Sequence, residues 1–166
     1  GIEKIVFSSK IEKLKEGWCS TTTNLNSIII PPTNPHFGYL DQDHKLIGGK
    51  SNPELDYFDT IVFASRDITV AKIPSNIRHI GPYSFHQCSK LKTVQINNDS
   101  QLVSIDKYAF SESSLSSIFI PPLVEKLDEC CFLKSKLKTV NISPRNGHFI
   151  LFEQKIIIKK SDGQNY

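Results

Sequence analysis

The chain has 166 residues, 39% of them hydrophobic, which suits one folded domain and excludes a disordered chain. Three alanines against 19 serines and nine prolines argue against a helical bundle. The 20 basic and 17 acidic side chains are scattered along the sequence, so the net charge of +3 indicates no particular partner and no nucleic-acid binding. No apolar run is long enough for a membrane span, and the first residues lack a signal-peptide pattern.

A six-residue pattern, with apolar side chains at its first, fourth and sixth positions, recurs along the chain. It predicts strands near residues 2–7, 25–30, 68–73, 91–96, 115–120 and 137–142. Their starts lie 23, 43, 23, 24 and 22 residues apart, and four of these intervals are typical of leucine-rich repeats, which run about 20 to 29 residues. Because one such coil cannot bury its own apolar face, we expect a leucine-rich-repeat solenoid. It should be a right-handed, mostly β coil with one curved parallel sheet and short turns or 3₁₀ segments on the convex side.

The long interval holds an insertion, about residues 33–66. Apolar residues at 37–40 and 46–47 flank a polar turn at 41–44 and predict a β-hairpin, followed by a further strand at 60–64. The sequence Asn34-Pro35-His36-Phe37 returns 112 residues later as Asn146-Gly147-His148-Phe149, which predicts a second hairpin at about 146–158. The chain has no methionine and holds about one and a half copies of this longer period. We therefore expect residues 1–166 to be a single domain taken from a longer array.

Side chains alternate along a strand, so the third and fifth positions of each pattern should point away from the core. These positions are Lys4, Val6, Ser27, Ile29, Val70, Lys72, Thr93, Gln95, Ser117, Phe119, Thr139 and Asn141. Two columns of this kind suit an extended macromolecular partner and contain no catalytic group. Four members are apolar, and two interpretations stay open: neighbouring groups cover them, or they belong to a contact surface.

Other groups that could carry chemistry have a structural explanation. Cys88 occupies a position that should be buried, and free cysteine is among the most buried residue types. His79, His86 and Cys88 are close in sequence, but they occupy different positions of a coil and lack a recognised ligand spacing. No metal, cofactor or catalytic residue is predicted. A disulfide that involves Cys19 or Cys88 remains open.

Residues 73–96 read IPSNIRHIGPYSFHQCSKLKTVQI. This segment resembles the BspA-type leucine-rich repeat, I-P-x-x-[VI]-x-x-I-G-x-x-A-F-x-x-C-x-x-L-x-x-[VI]-x-[IL]. Ser84 replaces the usual alanine, and Cys130-Cys131-Phe132 stands where the pattern has G-x-x-A-F.

The resemblance implies a non-enzymatic binding module of a secreted or cell-surface protein that adheres to host cells or matrix proteins. Its partner would be a host protein or glycan, contacted by the concave sheet, with Thr93, Gln95, Ser117, Phe119 and Asn141 as the central patch. The alternative is a structural spacer or an intracellular scaffold for protein–protein interaction.

Overall fold

The structure is a computed structural model that describes residues 1–153 and 156–160. These residues form fourteen short strands and no helix. In chain order they are β1 (Lys4–Val6), β2 (Ser27–Ile29), β3 (Phe37–Tyr39), β4 (Leu46–Gly49), β5 (Thr60–Ala64), β6 (Val70–Lys72), β7 (His79–Ile80), β8 (Thr93–Gln95), β9 (Ser104–Ile105), β10 (Ser117–Ile120), β11 (Lys126–Leu127), β12 (Thr139–Ile142), β13 (Phe149–Phe152) and β14 (Ile156–Lys159). The expected mostly β solenoid, of about six turns, is confirmed.

The six strands that carry the repeated pattern run parallel. They are joined by hydrogen bonds in three pairs, β1 with β2, β6 with β8, and β10 with β12. β8 also lies beside β10. Within the described residues, no ladder of hydrogen bonds links β2 with β6 or β8 with β10, so the expected parallel sheet consists of these pairs, and the insertion lies between β2 and β6 in the chain.

A second sheet, not expected from the sequence, runs along another side of the coil. Its strand order is β11-β9-β7-β5-β4-β3. Ile80, Ile105 and Leu127 are the core residues of its two-residue strands, in segments that the sequence analysis placed between strands. Stacking brings equivalent backbone positions of successive coils together, and buried N–H and C=O groups there must find partners. The inserted hairpin extends this second sheet rather than the first, because β5 runs parallel to β7 and antiparallel to β4.

The return segments are tight turns held by the neighbouring coil, and none of them is 3₁₀-helical within the described residues. Tyr83 and Tyr108 have φ of 56° and 57°, a left-handed conformation that lets the chain reverse within a few residues. Just after them, the N–H of Phe85 donates to the carbonyl of Ala109 at 2.8 Å. The buried rings of Phe85 and Phe110 stack with centroids 4.8 Å apart, so the return side of the coil has a continuous apolar column.

Each hairpin begins at an asparagine that also fastens the preceding coil. The side-chain amide of Asn146 donates to the carbonyls of Pro121 and Val124, both at 2.9 Å. Its carbonyl oxygen accepts from the N–H groups of His148 and Phe149, both at 2.8 Å. Asn34 makes the same four kinds of bond 112 residues earlier. This double use explains why the Asn-x-His-Phe sequence recurs.

Asn146→Ala should lower the free energy of unfolding by about 2–4 kcal/mol, because four hydrogen bonds are lost and buried backbone groups remain without partners. Urea unfolding followed by circular dichroism measures the change. Asn97→Ala is the matched control at an exposed asparagine and should change stability by less than about 0.5 kcal/mol. Equal stability of the two variants would contradict the fastening role.

The buried apolar residues form two clusters, with strands β4 and β5 between them. Leu46 and Ile61 belong to the larger cluster, which continues along the repeats to Phe149. Ile47 and Phe63 belong to the smaller cluster, which is built around β1 and β2. Every residue of β4 is buried, as expected for a strand with apolar groups on both sides.

Arg66 lies between these clusters and is 2% exposed. Its guanidinium donates to main-chain carbonyl oxygens of Cys19, Thr22, Ala64 and Ser84, at 3.2 to 3.4 Å. It also packs 4.8 Å from the centroid of the Phe63 ring. Within the described residues no carboxylate pairs with this cation, so carbonyl dipoles from separate coils stabilise its charge.

Arg66→Ala should destabilise the fold by about 3–5 kcal/mol, because it removes these donors from buried carbonyls and leaves a cavity. Thermal unfolding measures the loss. Arg78→Ala removes an exposed guanidinium elsewhere in the fold and should leave the midpoint nearly unchanged. A loss no larger than that of the control would show that Arg66 does not join the two clusters.

Candidate binding surface

Strands β6, β8, β10 and β12 present most of the predicted contact residues on one side. We call this the four-strand face, made of Val70, Lys72, Thr93, Gln95, Ser117, Phe119, Thr139 and Asn141. Val70 is in register with Thr93, and Lys72 with Gln95. The same two columns continue through the register pairs of β10 and β12. The structure thus brings these eight side chains together as two columns.

The remaining predicted residues lie apart from that face. Ser27 and Ile29 on β2 are in register with Lys4 and Val6 on β1. No hydrogen-bonded ladder joins β2 to β6 in the part of the chain that the structure describes. Ser27 and Ile29 are therefore not continuous with Val70 and Lys72.

The apolar members of the columns differ in exposure. Val6 is 65% exposed, Val70 44% and Ile29 40%, so neither the hairpin nor a neighbouring side chain covers them. Phe119 is half-buried and packs against the larger core cluster. The sequence left two interpretations open for these apolar side chains, covering by neighbouring groups or a contact surface. Covering holds for Phe119 alone, and Val6, Ile29 and Val70 remain available for contact.

Shallow grooves border both ends of the four-strand face. One, of about 480 Å³, runs between the acidic turn at Asp41 and Asp43 and the side chains of Val70 and Lys72. The other, of about 440 Å³, lies between Asn141 and the last hairpin. These grooves widen the area that a partner could contact beyond the two columns.

Burial shifts the pKa of the thiols and of the imidazole next to the core. Burial raises the pKa of Cys88 to about 11 and that of Cys131 to about 12, so both thiols are protonated at neutral pH and are poor nucleophiles. Burial, and then the charge of Arg66, lower the pKa of His86, whose Nδ1 lies 2.5 Å from Oγ of Ser111. All four cysteines are free, and no cluster of three or more His, Cys, Asp or Glu is found among residues 1–153 and 156–160.

A group of lysines that the sequence analysis regarded as scattered is gathered beside the four-strand face. Lys90, Lys92, Lys136 and Lys138 are all exposed, in the loops that lead into β8 and β12, and we call them the lysine strip. The sequence does contain a pattern that indicates the lysine strip, because Lys-Leu-Lys occurs in both loops, around the inward-pointing Leu91 and Leu137. Net charge alone gave no indication of it.

The pattern of the BspA type leucine-rich repeat region matches residues 57–151 with six copies. The chain belongs to this BspA-type leucine-rich repeat family. The match covers more than half of the sequence and includes the four-strand face. No curated protein matches the sequence of this BspA-type chain.

Three solved structures have a similar fold. A leucine-rich repeat protein from Eubacterium ventriosum is 19% identical, with a TM-score of 0.65, over 84% of this chain and 36% of its own. The pneumococcal vaccine antigen PcpA is 16% identical, with a TM-score of 0.58, over 87% and 40%. A leucine-rich cell surface protein from Faecalibacterium prausnitzii is 17% identical, with a TM-score of 0.56, over 97% and 52%. This BspA-type chain therefore spans about half or less of the length of these proteins.

Within residues 1–153 and 156–160, this BspA-type chain has no helix that could span a membrane.

Labelling with a thiol reagent should modify one of the four cysteines in the folded protein, because Cys130 is exposed and the other three are buried. The raised pKa of Cys19, Cys88 and Cys131 further slows their reaction at neutral pH. Absorbance of the released thiolate counts the reacted groups, and denaturant should expose all four. Cys130→Ser should leave no reactive thiol in the native state, and a second reactive thiol would contradict the burial.

Proposed function

We propose that the chain is a non-enzymatic binding module of a leucine-rich-repeat surface protein, which adheres to host cells or matrix proteins through the four-strand face. The observation that carries the proposal is the pair of mostly exposed side-chain columns, in register between β6 and β8 and between β10 and β12, with β8 lying beside β10. Parallel strands about 4.8 Å apart present such side chains at a regular spacing, so many weak contacts can add along an extended partner.

The composition of the face supports contact with a macromolecule rather than turnover of a small substrate. It combines hydroxyl and amide groups with one cation and the exposed apolar side chain of Val70. The grooves at its ends are open, and no titratable pair lies on it that could serve as acid and base. The proposed function needs no metal and no cofactor.

The proposed location is the cell surface or the exterior of the cell. Membership of the BspA-type family supports it, as do a cell surface protein and a vaccine antigen among the proteins of similar fold. The proposed partner is a host protein or glycan. A structural spacer or an intracellular scaffold is the alternative that the following experiment separates.

Thr93→Ala/Gln95→Ala/Ser117→Ala should weaken saturable binding of the labelled chain to epithelial cells or soluble matrix proteins by about tenfold or more, since three exposed polar contacts at the centre of the face are lost. Flow cytometry and a plate assay measure the binding. Phe119 is left intact because it packs against the core.

Thr21→Ala/Thr23→Ala/Gln101→Ala is the matched control, because it removes the same kinds of exposed side chain away from the face and should bind like the parent chain. Equal binding by both triple variants would show that the face is assigned wrongly. A folded parent chain that binds neither cells nor matrix proteins would favour the spacer.

A further inference from the structure

The lysine strip is produced by the stacking of three coils. The N–H of Lys138 donates to the carbonyl of Ser116 at 2.8 Å, and the N–H of Lys136 donates to that of Ser113 at 3.2 Å. On the other side, the N–H of Ser114 donates to the carbonyl of Cys88 at 3.2 Å. The loop with Ser114 and Ser116 therefore lies between the loop with Lys90 and Lys92 and the loop with Lys136 and Lys138.

The spacing of the cations follows from this stacking. Lys92, Ser116 and Lys138 precede β8, β10 and β12 at the same position of the coil. Successive parallel strands lie about 4.8 Å apart, so the main chains of Lys92 and Lys138 are roughly 10 Å apart. The exposed Ser116 and the half-buried Ser114 lie between the two lysine pairs and offer hydroxyl donors.

None of the four ammonium groups has a carboxylate partner within the described residues, where the ion pairs are Lys45 with Asp67 and Lys126 with Asp128. Glu112, the one acid in these three loops, lies at their far end and accepts a hydrogen bond from Nε2 of Gln87 at 3.2 Å. The adjoining coil has Asp67 before β6, but its carboxylate is held by Lys45 and the hydroxyl of Ser65. The strip therefore presents uncompensated positive charge.

We propose that the lysine strip binds the sulfate groups of a linear sulfated polysaccharide of the glycosaminoglycan class. Flexible ammonium groups on both sides of a serine pair fit a chain that carries anionic groups at intervals. The three loops, residues 87–92, 112–116 and 134–138, contain no aromatic residue on which a nucleic-acid base could stack. Their exposed side chains are also polar, and the only exposed large apolar side chain directly adjoining these three ranges is Leu133, which leaves little apolar contact for an acidic peptide.

The strip borders the four-strand face but is a separate site. Thr93 and Thr139 follow directly after Lys92 and Lys138, so a polysaccharide on the strip would pass along the edge of the columns. The polysaccharide site does not depend on the adhesive role proposed for the face, and variants of the two surfaces test them independently.

The test measures the affinity of the chain for heparin by titration calorimetry at several salt concentrations. Lys92→Ala/Lys138→Ala should weaken binding by about 10- to 30-fold, because each of the two lysines near a polyanionic surface contributes about a three- to fivefold gain in affinity. The slope of log Kd against log salt should become shallower by about one to two. Lys10→Ala/Lys15→Ala makes the same change in net charge at exposed lysines elsewhere and should keep the parent affinity.

Three further measurements test whether the bound group is a sulfate and whether it binds at the lysine strip. Chemically desulfated heparin and polyglutamate should bind at least tenfold more weakly than heparin. Thr93→Ala/Gln95→Ala should retain heparin binding, which separates this site from the four-strand face. Because all substituted residues are exposed, the variants should unfold at the parent temperature. The proposal is overturned by absence of heparin binding, by equal loss in the control, by polyglutamate binding as tightly as heparin, or by loss in Thr93→Ala/Gln95→Ala.

Discussion

Every element of this protein depends on one constraint: a coil of about 23 residues cannot bury its own apolar face or satisfy its own main chain. The neighbouring coil supplies both. Main-chain bonds such as Phe85 N–H to Ala109 and Lys138 N–H to Ser116 cross from coil to coil, and the phenylalanine column fills the space between them. The two-residue strands of the second sheet arise from the same need for partners.

The insertion interrupts the regular stacking of the coils, and the buried guanidinium of Arg66 links the two core clusters on either side of it. The hairpin adds β3 and β4 to the second sheet but divides the apolar core into two clusters. Arg66 donates to carbonyls from both sides of the division, in addition to the main-chain N–H groups that already donate to Cys19 and Ser84. Near this junction, burial and then the charge of Arg66 lower the pKa of His86.

The two proposed contact surfaces occupy positions that the fold does not use. Inward residues of each coil must be apolar and well packed, whereas the third and fifth strand positions and the loops before the strands are free to vary. The four-strand face and the lysine strip occupy these positions and adjoin along the edge at Thr93 and Thr139.

The sequence by itself determined the coil period, the six repeat strands, the hairpins and the alternation that points Thr93, Gln95, Ser117 and Asn141 outward, because these follow from local periodicity. The second sheet could not be predicted, since two-residue strands such as Ser104–Ile105 carry no periodic signal and form only when coils stack. The half-burial of Phe119, the place of Arg66 between two clusters and the gathering of Lys92 with Lys138 were likewise decided by tertiary structure. The physical reason is that stacking brings together residues that lie as far as 18 to 47 positions apart in the chain, and spacing along one coil does not reveal which of them become neighbours.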